Sequence, residues 1–269
     1  MNAVNLTAPT GLAQARDNAH AAVQLLYRAA IANIAPMPAE EHTNLGWVIG
    51  GGTFQTHALA NSELKADLRL SPLTLVLGTA QLPLDGVTIE DAVVWLDAQL
   101  DEHCLKPASA TAVTYDLPQS VTALSTFSDH DDLAALALWF DLAARIITDL
   151  AASASDIDPG PSPVRCWPHH FDLATYVSLE EGDAEAARGV GVGLSPGDGS
   201  YDEPYFYVNP WPHLDITALP DPVAPGHWHT AGFVGLVCTA TELLQTQEPT
   251  EAAQSFVMSS FAVSRSSLM

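Results

Sequence analysis

The sequence predicts an α+β fold: a mainly antiparallel sheet flanked by helices, in a single domain of residues 1–269 built from two pseudo-repeats. Three observations carry this expectation. Long apolar runs at 3.6-residue spacing are separated from groups of short strand-like runs, the layout of an α+β chain. The order helix, strands, helix occurs twice. Finally, Leu68-Arg69-Leu70-Ser71-Pro72 aligns with Val192-Gly193-Leu194-Ser195-Pro196, each after a long helix and a Trp-bearing segment (Trp47, Trp167). The repeats span about 10–106 and 128–246, with a C-terminal helix over 250–264.

Thr10 to Ile34 reads as the first helix, because Val23, Leu26, Tyr27, Ala30 and Ile34 fall on one face, and Pro36 and Pro38 stop it. Between Leu45 and Gly78 the pattern changes to strands. Leu64, Ala66, Leu68 and Leu70 alternate with polar residues, and Leu73 to Leu77 resumes after Ser71-Pro72. Leu82 to Gly86 reads as a turn. Thr88 and Asp91 open a helix with Val93, Val94, Leu96 and Leu100 on its apolar side. Residues 107–127 form a connection. Ser128 and Asp131 open a central helix bearing Leu133, Leu136, Leu138, Phe140, Leu142, Ile146 and Leu150, and 151–163 is a linker. Strands follow at Phe171–Leu179, Gly189–Leu194 and Tyr205–Val208. Thr230 to Gln245 reads as a helix, and Pro249-Thr250 opens the last one.

Composition narrows the function. Net charge is -23, with two lysines and seven arginines, so a basic face for nucleic acid or for an anionic membrane is not expected. The acidity reads as a solvated surface, with a steering field for cationic ligands as the alternative. Cys104, Cys166 and Cys238 are far apart without a Cys-x-x-Cys, which argues against a disulfide framework or a thiolate zinc site. No apolar leader opens the chain, and the apolar run from Leu133 to Leu150 is broken by Asp141, Arg145 and Asp149. A cytoplasmic location is the expectation.

Trp167 to His229 concentrates the chemistry, with five of the ten histidines, three of the six tryptophans and four of the six tyrosines. On extended backbone, residues i and i+2 share a face. That pairs His170 with Asp172, His213 with Asp215, and His227 with His229. Imidazole and carboxylate suit zinc, iron or manganese, so His169, His170, Asp172, His213, His227 and His229 are the candidate metal ligands. With a metal, bound water would be the nucleophile of a hydrolase or lyase step. Without one, a His–carboxylate pair between segments could work as a general base. Trp167, Tyr205, Tyr207, Trp211 and Trp228, with Tyr201, are the candidate lining of a small-molecule pocket. The rival reading is a non-catalytic protein whose aromatics form a partner surface.

Two familiar motifs are decoys. Gly193-Leu194-Ser195-Pro196-Gly197 spells G-x-S-x-G, but Pro196 has no N–H for an oxyanion hole. Ser195 to Asp198 reads instead as a loop in which Asp198 bonds the backbone. Gly50-Gly51-Gly52 and Gly189-Val190-Gly191-Val192-Gly193 lack the dinucleotide spacing and read as bulges or close backbone packing; no Walker A lysine motif exists.

Through Trp167-Pro168-His169-His170-Phe171-Asp172, Ser195-Pro196-Gly197-Asp198 and Pro204-Tyr205-Phe206-Tyr207-Val208, the chain resembles an uncharacterised bacterial family over roughly 166–235. The resemblance implies one continuous architecture and brings no activity with it.

Overall fold

The computed structural model describes residues 6, 12–182 and 187–269. The elements, in order, are α1 (Leu12–Asn33), β1 (Gly46–Val48), β2 (Thr53–Gln55), β3 (Ala66–Arg69), β4 (Thr74–Leu77), β5 (Ala80–Pro83), α2 (Ile89–Glu102), α3 (Gln119–Thr122), α4 (Asp132–Ser153), β6 (Gly160–Pro161), β7 (Arg165–Trp167), β8 (Asp172–Ser178), β9 (Gly189–Ser195), β10 (Tyr205–Trp211), β11 (His227–His229), β12 (Gly235–Thr239), α5 (Ala240–Leu244) and α6 (Pro249–Leu268). The expected class holds: the strands pair antiparallel and helices flank them. No helix among the described residues is long and apolar enough to cross a membrane. The helix start expected at Thr10 lies outside the described residues.

The chain divides into two compact units whose bounds differ from those of the pseudo-repeats. One holds 12–141 and 165–171, the other 142–164 and the described residues from 172 onward. The division therefore falls inside α4 and again just before β8.

In the first unit, β1 to β5 form a five-stranded antiparallel meander in sequence order. Its register places Trp47, Phe54, Leu68, Leu75 and Leu82 in one cross-strand row. Alternation in β3 works as expected, with Ala66 and Leu68 inward. Leu82-Pro83, expected in a turn, ends the edge strand instead; proline is tolerated there because an edge needs fewer ladder donors. In α2, Thr88 accepts the Asp91 N–H, but the buried face is Ala92, Leu96 and Leu100, and Val94 is exposed. Leu138 of α4 is likewise outward, whereas Trp139 is fully buried.

The glycine cluster 50–52 turns β1 into β2, with Gly50 and Gly52 at positive φ. Asp141 of α4 holds this hairpin: its carboxylate accepts Trp47 Nε1–H at 2.7 Å and the Gly50 N–H at 3.0 Å. Hydrogen bonds to a charged group are worth roughly 1.5–3 kcal/mol. The Asp141→Ala chain is therefore expected to lose about 2 kcal/mol of stability, read as a lowered denaturation midpoint at unchanged m-value.

In the second unit the antiparallel strand order is β11-β12-β10-β9-β8-β6. Residues 230–245, expected to be helical, are instead β12 followed by the short α5. Val234 to Cys238 is a continuous apolar run, which periodicity alone cannot assign, and here it is a fully buried strand. The register gives this sheet two unlike faces. One carries Leu173, Val177, Val190, Val192, Leu194, Phe206, Val208, Leu236 and Cys238, all buried. α6, whose Ala253, Phe256, Val257 and Phe261 are buried, lies along β9 and β10. The other face carries the polar chemistry.

Candidate functional site

That second face is floored by glycine. Cross-strand rows run Ala174–Gly193–Tyr207–Val237–His227 and Tyr176–Gly191–Asn209, with Asn209 beside Gly235, the partner of His229. A Cβ on Gly189 would overlap the Tyr176 ring, one on Gly191 the Asn209 amide, and one on Gly193 the Tyr207 ring. The glycines at alternate positions of β9 thus let large side chains from β8 and β10 lie flat across the strand. Of the bulge and close-packing readings of the motif, this is close packing, and it explains Gly at i, i+2 and i+4.

Two phenols on this face, those of Tyr205 and Tyr207, end on carboxylates. Tyr207 donates its hydroxyl hydrogen to Asp172, which is buried. Tyr205 donates to Asp198 Oδ2 at 2.5 Å. Burial first, then the Asp198 bond and charge, drive the Tyr205 proton affinity far up. Asp198 also accepts the N–H groups of Ser200 and Tyr201, so the Ser195–Asp198 loop bonds the backbone as expected and positions Tyr201.

Tyr201 is the centre of the arrangement. Its hydroxyl lies 2.9 Å from His227 Nε2 and 2.9 Å from His229 Nδ1. His227 Nδ1 is 2.9 Å from Glu242 Oε1. Glu242 Oε2 accepts the Thr239 N–H, closing a capping box that starts α5. One carboxylate therefore caps the helix and orients the imidazole. His229 Nε2 donates to the Ala231 carbonyl at 2.5 Å, and its ring stacks on Phe233 at 4.2 Å. Burial, then the charges of Glu242 and Asp198, raise the pKa of Tyr201, so it holds its proton.

The remaining candidates fall elsewhere. Trp167 to Phe171 is a tight turn of the first unit, closed by the Phe171 N–H on the Trp167 carbonyl at 2.7 Å. The Pro168 carbonyl accepts His20 Nε2–H and Gln24 Nε2–H from α1, both at 2.9 Å. Gln24 Oε1 in turn accepts Tyr115 O–H at 2.7 Å. His169 lies against His170 with ring centroids 4.1 Å apart; burial, then His170, bring its pKa down to about 4. Trp167 is half-buried with its ring 6.2 Å from that of His169.

Several sequence expectations are corrected here. The chain leaves the sheet after Trp211, so His213 and Asp215 are not a strand pair. His213 is exposed beside Trp211, and Asp215 is engaged by the Thr217 N–H and hydroxyl, which lower its pKa. His170 sits in a turn of one unit and Asp172 in a strand of the other. Trp228 has the opposite parity to its neighbours His227 and His229, sharing its row with Leu236, and donates Nε1–H to the Pro220 carbonyl. Of the three i, i+2 pairs, His227 and His229 alone share a strand face. The six candidate ligands are thus scattered, and among the described residues no three His, Cys, Asp or Glu side chains gather as a metal ion requires. Glu242 was missed because its segment reads as mid-helix; the Thr239-x-x-Glu242 signature marks the true helix start.

The shallow hollow of about 320 Å³ beside Gly50–Gly52 and Asp141 offers little polar chemistry, since Asp141 is already engaged by Trp47 and Gly50. No protein-family model matches the chain, and no curated protein and no solved structure matches it either.

Proposed function

We propose that the polar sheet face of the second unit binds a small molecule at Tyr201, His227 and His229, and that Tyr201 gives it a proton. The single observation behind this reading is the convergence of two imidazole nitrogens, each at 2.9 Å, on one phenol oxygen. A nucleophile or acid held by a base, and that base held by a carboxylate, is the recurring arrangement of proton-transfer sites. Here the three parts are Tyr201, His227 and Glu242. Desolvation raises the Tyr201 pKa and keeps the phenol protonated, so the proton available at this oxygen is its own O–H. The matching ligand carries an oxygen or carbon on which negative charge develops, as in a lyase-type step. Proton transfer by a positioned side chain contributes roughly 10²–10⁴-fold to such a rate. Tyr205, Tyr207 and Trp211 supply apolar rings on the same face.

A thermal-shift screen of carbonyl- and carboxylate-bearing compounds tests this, with the Tyr201→Phe chain run in parallel. A ligand at a hundredfold excess over its Kd stabilises the folded chain by about 2.7 kcal/mol. Compounds that raise the wild-type Tm and leave that of the Tyr201→Phe chain unmoved are the expected result. A set of binders that ignores the substitution, or no binders at all, contradicts the proposal.

A further inference from the structure

The hydrogen-bond chain through Tyr201 needs more protons than its neutral groups hold. It has four contacts: Glu242 Oε1 to His227 Nδ1, His227 Nε2 to Tyr201 Oη, Tyr201 Oη to His229 Nδ1, and His229 Nε2 to the Ala231 oxygen. A carboxylate and a carbonyl close the two ends, and both only accept. Every contact therefore requires one proton of its own. A neutral His227, a phenol and a neutral His229 bring one each. One contact would be left with two lone pairs facing each other.

We infer that the chain binds a fourth proton, so that His227 and His229 together carry one imidazolium. Two arrangements satisfy all four contacts. In the first, His227 is the cation and donates to Tyr201, which donates to His229. In the second, His229 is the cation and donates to Tyr201, which donates to His227. They interconvert by two short shifts: one His N–H bond breaks as the Tyr201 O–H re-forms, and the former Tyr201 proton joins the other ring. Tyr201 is the bridge, and the positive charge moves between the imidazoles without any heavy atom turning.

The charged groups around the hydrogen-bond chain are carboxylates. Glu242 from α5 faces His227, and the charges of Glu242 and Asp198 act on Tyr201. Tyr205 packs against Tyr201 at 4.9 Å, and Glu203 holds the start of α5 through Thr241. Strands β8 to β12 contribute no lysine or arginine to oppose a cation. This inference rests on the proposed site in one respect, because the fourth proton is the one a ligand would receive. Tyr201 O–H breaks as the ligand's anionic atom gains the hydrogen, the imidazolium returns a proton to Tyr201, and a neutral ring remains. The ligand's negative charge and the imidazolium's positive charge disappear together. Half-exposed His227 is then reprotonated from water.

Nitrogen-15 NMR of the histidine rings in the full apo chain at neutral pH counts these protons directly. His227→Gln and His229→Gln chains assign the two rings among the ten histidines. Three N–H groups shared between the two rings are expected in the wild type. In the Tyr201→Phe chain just two contacts remain, two neutral rings satisfy them, and two N–H groups are expected. Glu242→Gln keeps a residue suited to the third helical position of a capping box, but removes the counter-charge. Its rings are also expected to hold two N–H groups, with the fold retained. Two N–H groups in the wild type, or an unchanged count in Tyr201→Phe, overturns the inference; a third N–H persisting in Glu242→Gln overturns the role given to Glu242. The experiment uses no ligand. A failed screen therefore overturns the binding proposal alone, and two ring N–H groups in the wild type overturn this inference alone.

Discussion

The Phe171→Ala chain is expected to be less stable than wild type by about 3–5 kcal/mol, the usual range for truncating a buried aromatic. Phe171 is 1% exposed and lies at the middle of the first unit's ring cluster. Its ring stacks on His20 at 5.1 Å and meets Phe54 and Phe140 at 5.6 and 5.3 Å. Alanine leaves a cavity that those rings cannot all close. The backbone adds a second signature. Phe171 has φ of 58°, a left-handed conformation that disfavours any side chain by roughly 1–2 kcal/mol. Alanine keeps that penalty and glycine removes it. Phe171→Gly should therefore be more stable than Phe171→Ala by about 1 kcal/mol, the reverse of the order found inside helices and strands. Urea denaturation of the three chains measures both differences. A Phe171→Ala loss below about 1 kcal/mol, or glycine the less stable of the two, would show that the turn does not anchor this core.

Acidification is expected to weaken the fold through His20. Burial is the main cause that brings its pKa from 6.5 down to about 4; the Pro168 carbonyl bonded to Nε2–H is a smaller opposing influence. In the folded state the imidazole is neutral, whereas the unfolded chain protonates it below 6.5. The unfolded state then binds more protons, so the stability from neutral His20 is complete above pH 6.5 and is lost as pH falls toward about 4. The full difference amounts to about 3 kcal/mol. His169, brought down to about 4 chiefly by burial, acts in the same direction from a wetter position. Denaturation curves between these limits should show a steeper loss for the wild type than for His20→Gln. Equal slopes in the two chains would mean that the buried imidazole is not the group responsible.

How far the sequence alone reached depended on what each stretch could signal locally. Helical spacing found α1, α2 and α4, because their apolar residues recur over several turns, and the Pro249-Thr250 start found α6. Alternation found β3, and the Tyr205–Val208 pattern found β10. Alternation failed at Val234 to Cys238, where a buried strand has no polar side to alternate with, and the helical stripe misplaced Val94, which is exposed. Of the two readings of the glycine series in β9, bulge or close packing, the structure shows close packing, and which side chains lie over it depends on register with β8 and β10. The site was half legible. His227 and His229 shared a face as their spacing predicts, and Tyr201 was already among the candidate aromatics. That Glu242 meets His227 depends on how β11 pairs with β12, which no local pattern encodes, although Thr239-x-x-Glu242 marks the helix start. The Trp167–Asp172 run, one of the segments in which the sequence concentrates its histidines, largely reports a turn whose Pro168 carbonyl accepts from His20 and Gln24.

The most direct test of the functional account is an amide and histidine NMR titration of the full chain with the strongest Tyr201-dependent compound from the screen. The account predicts the largest shifts at Gly193, Tyr207, Tyr201, His227, His229 and Gly235, the rows and loop around the phenol. Shifts centred on Trp167, His169 and His170 would contradict it and would move the binding site to the first unit's turn.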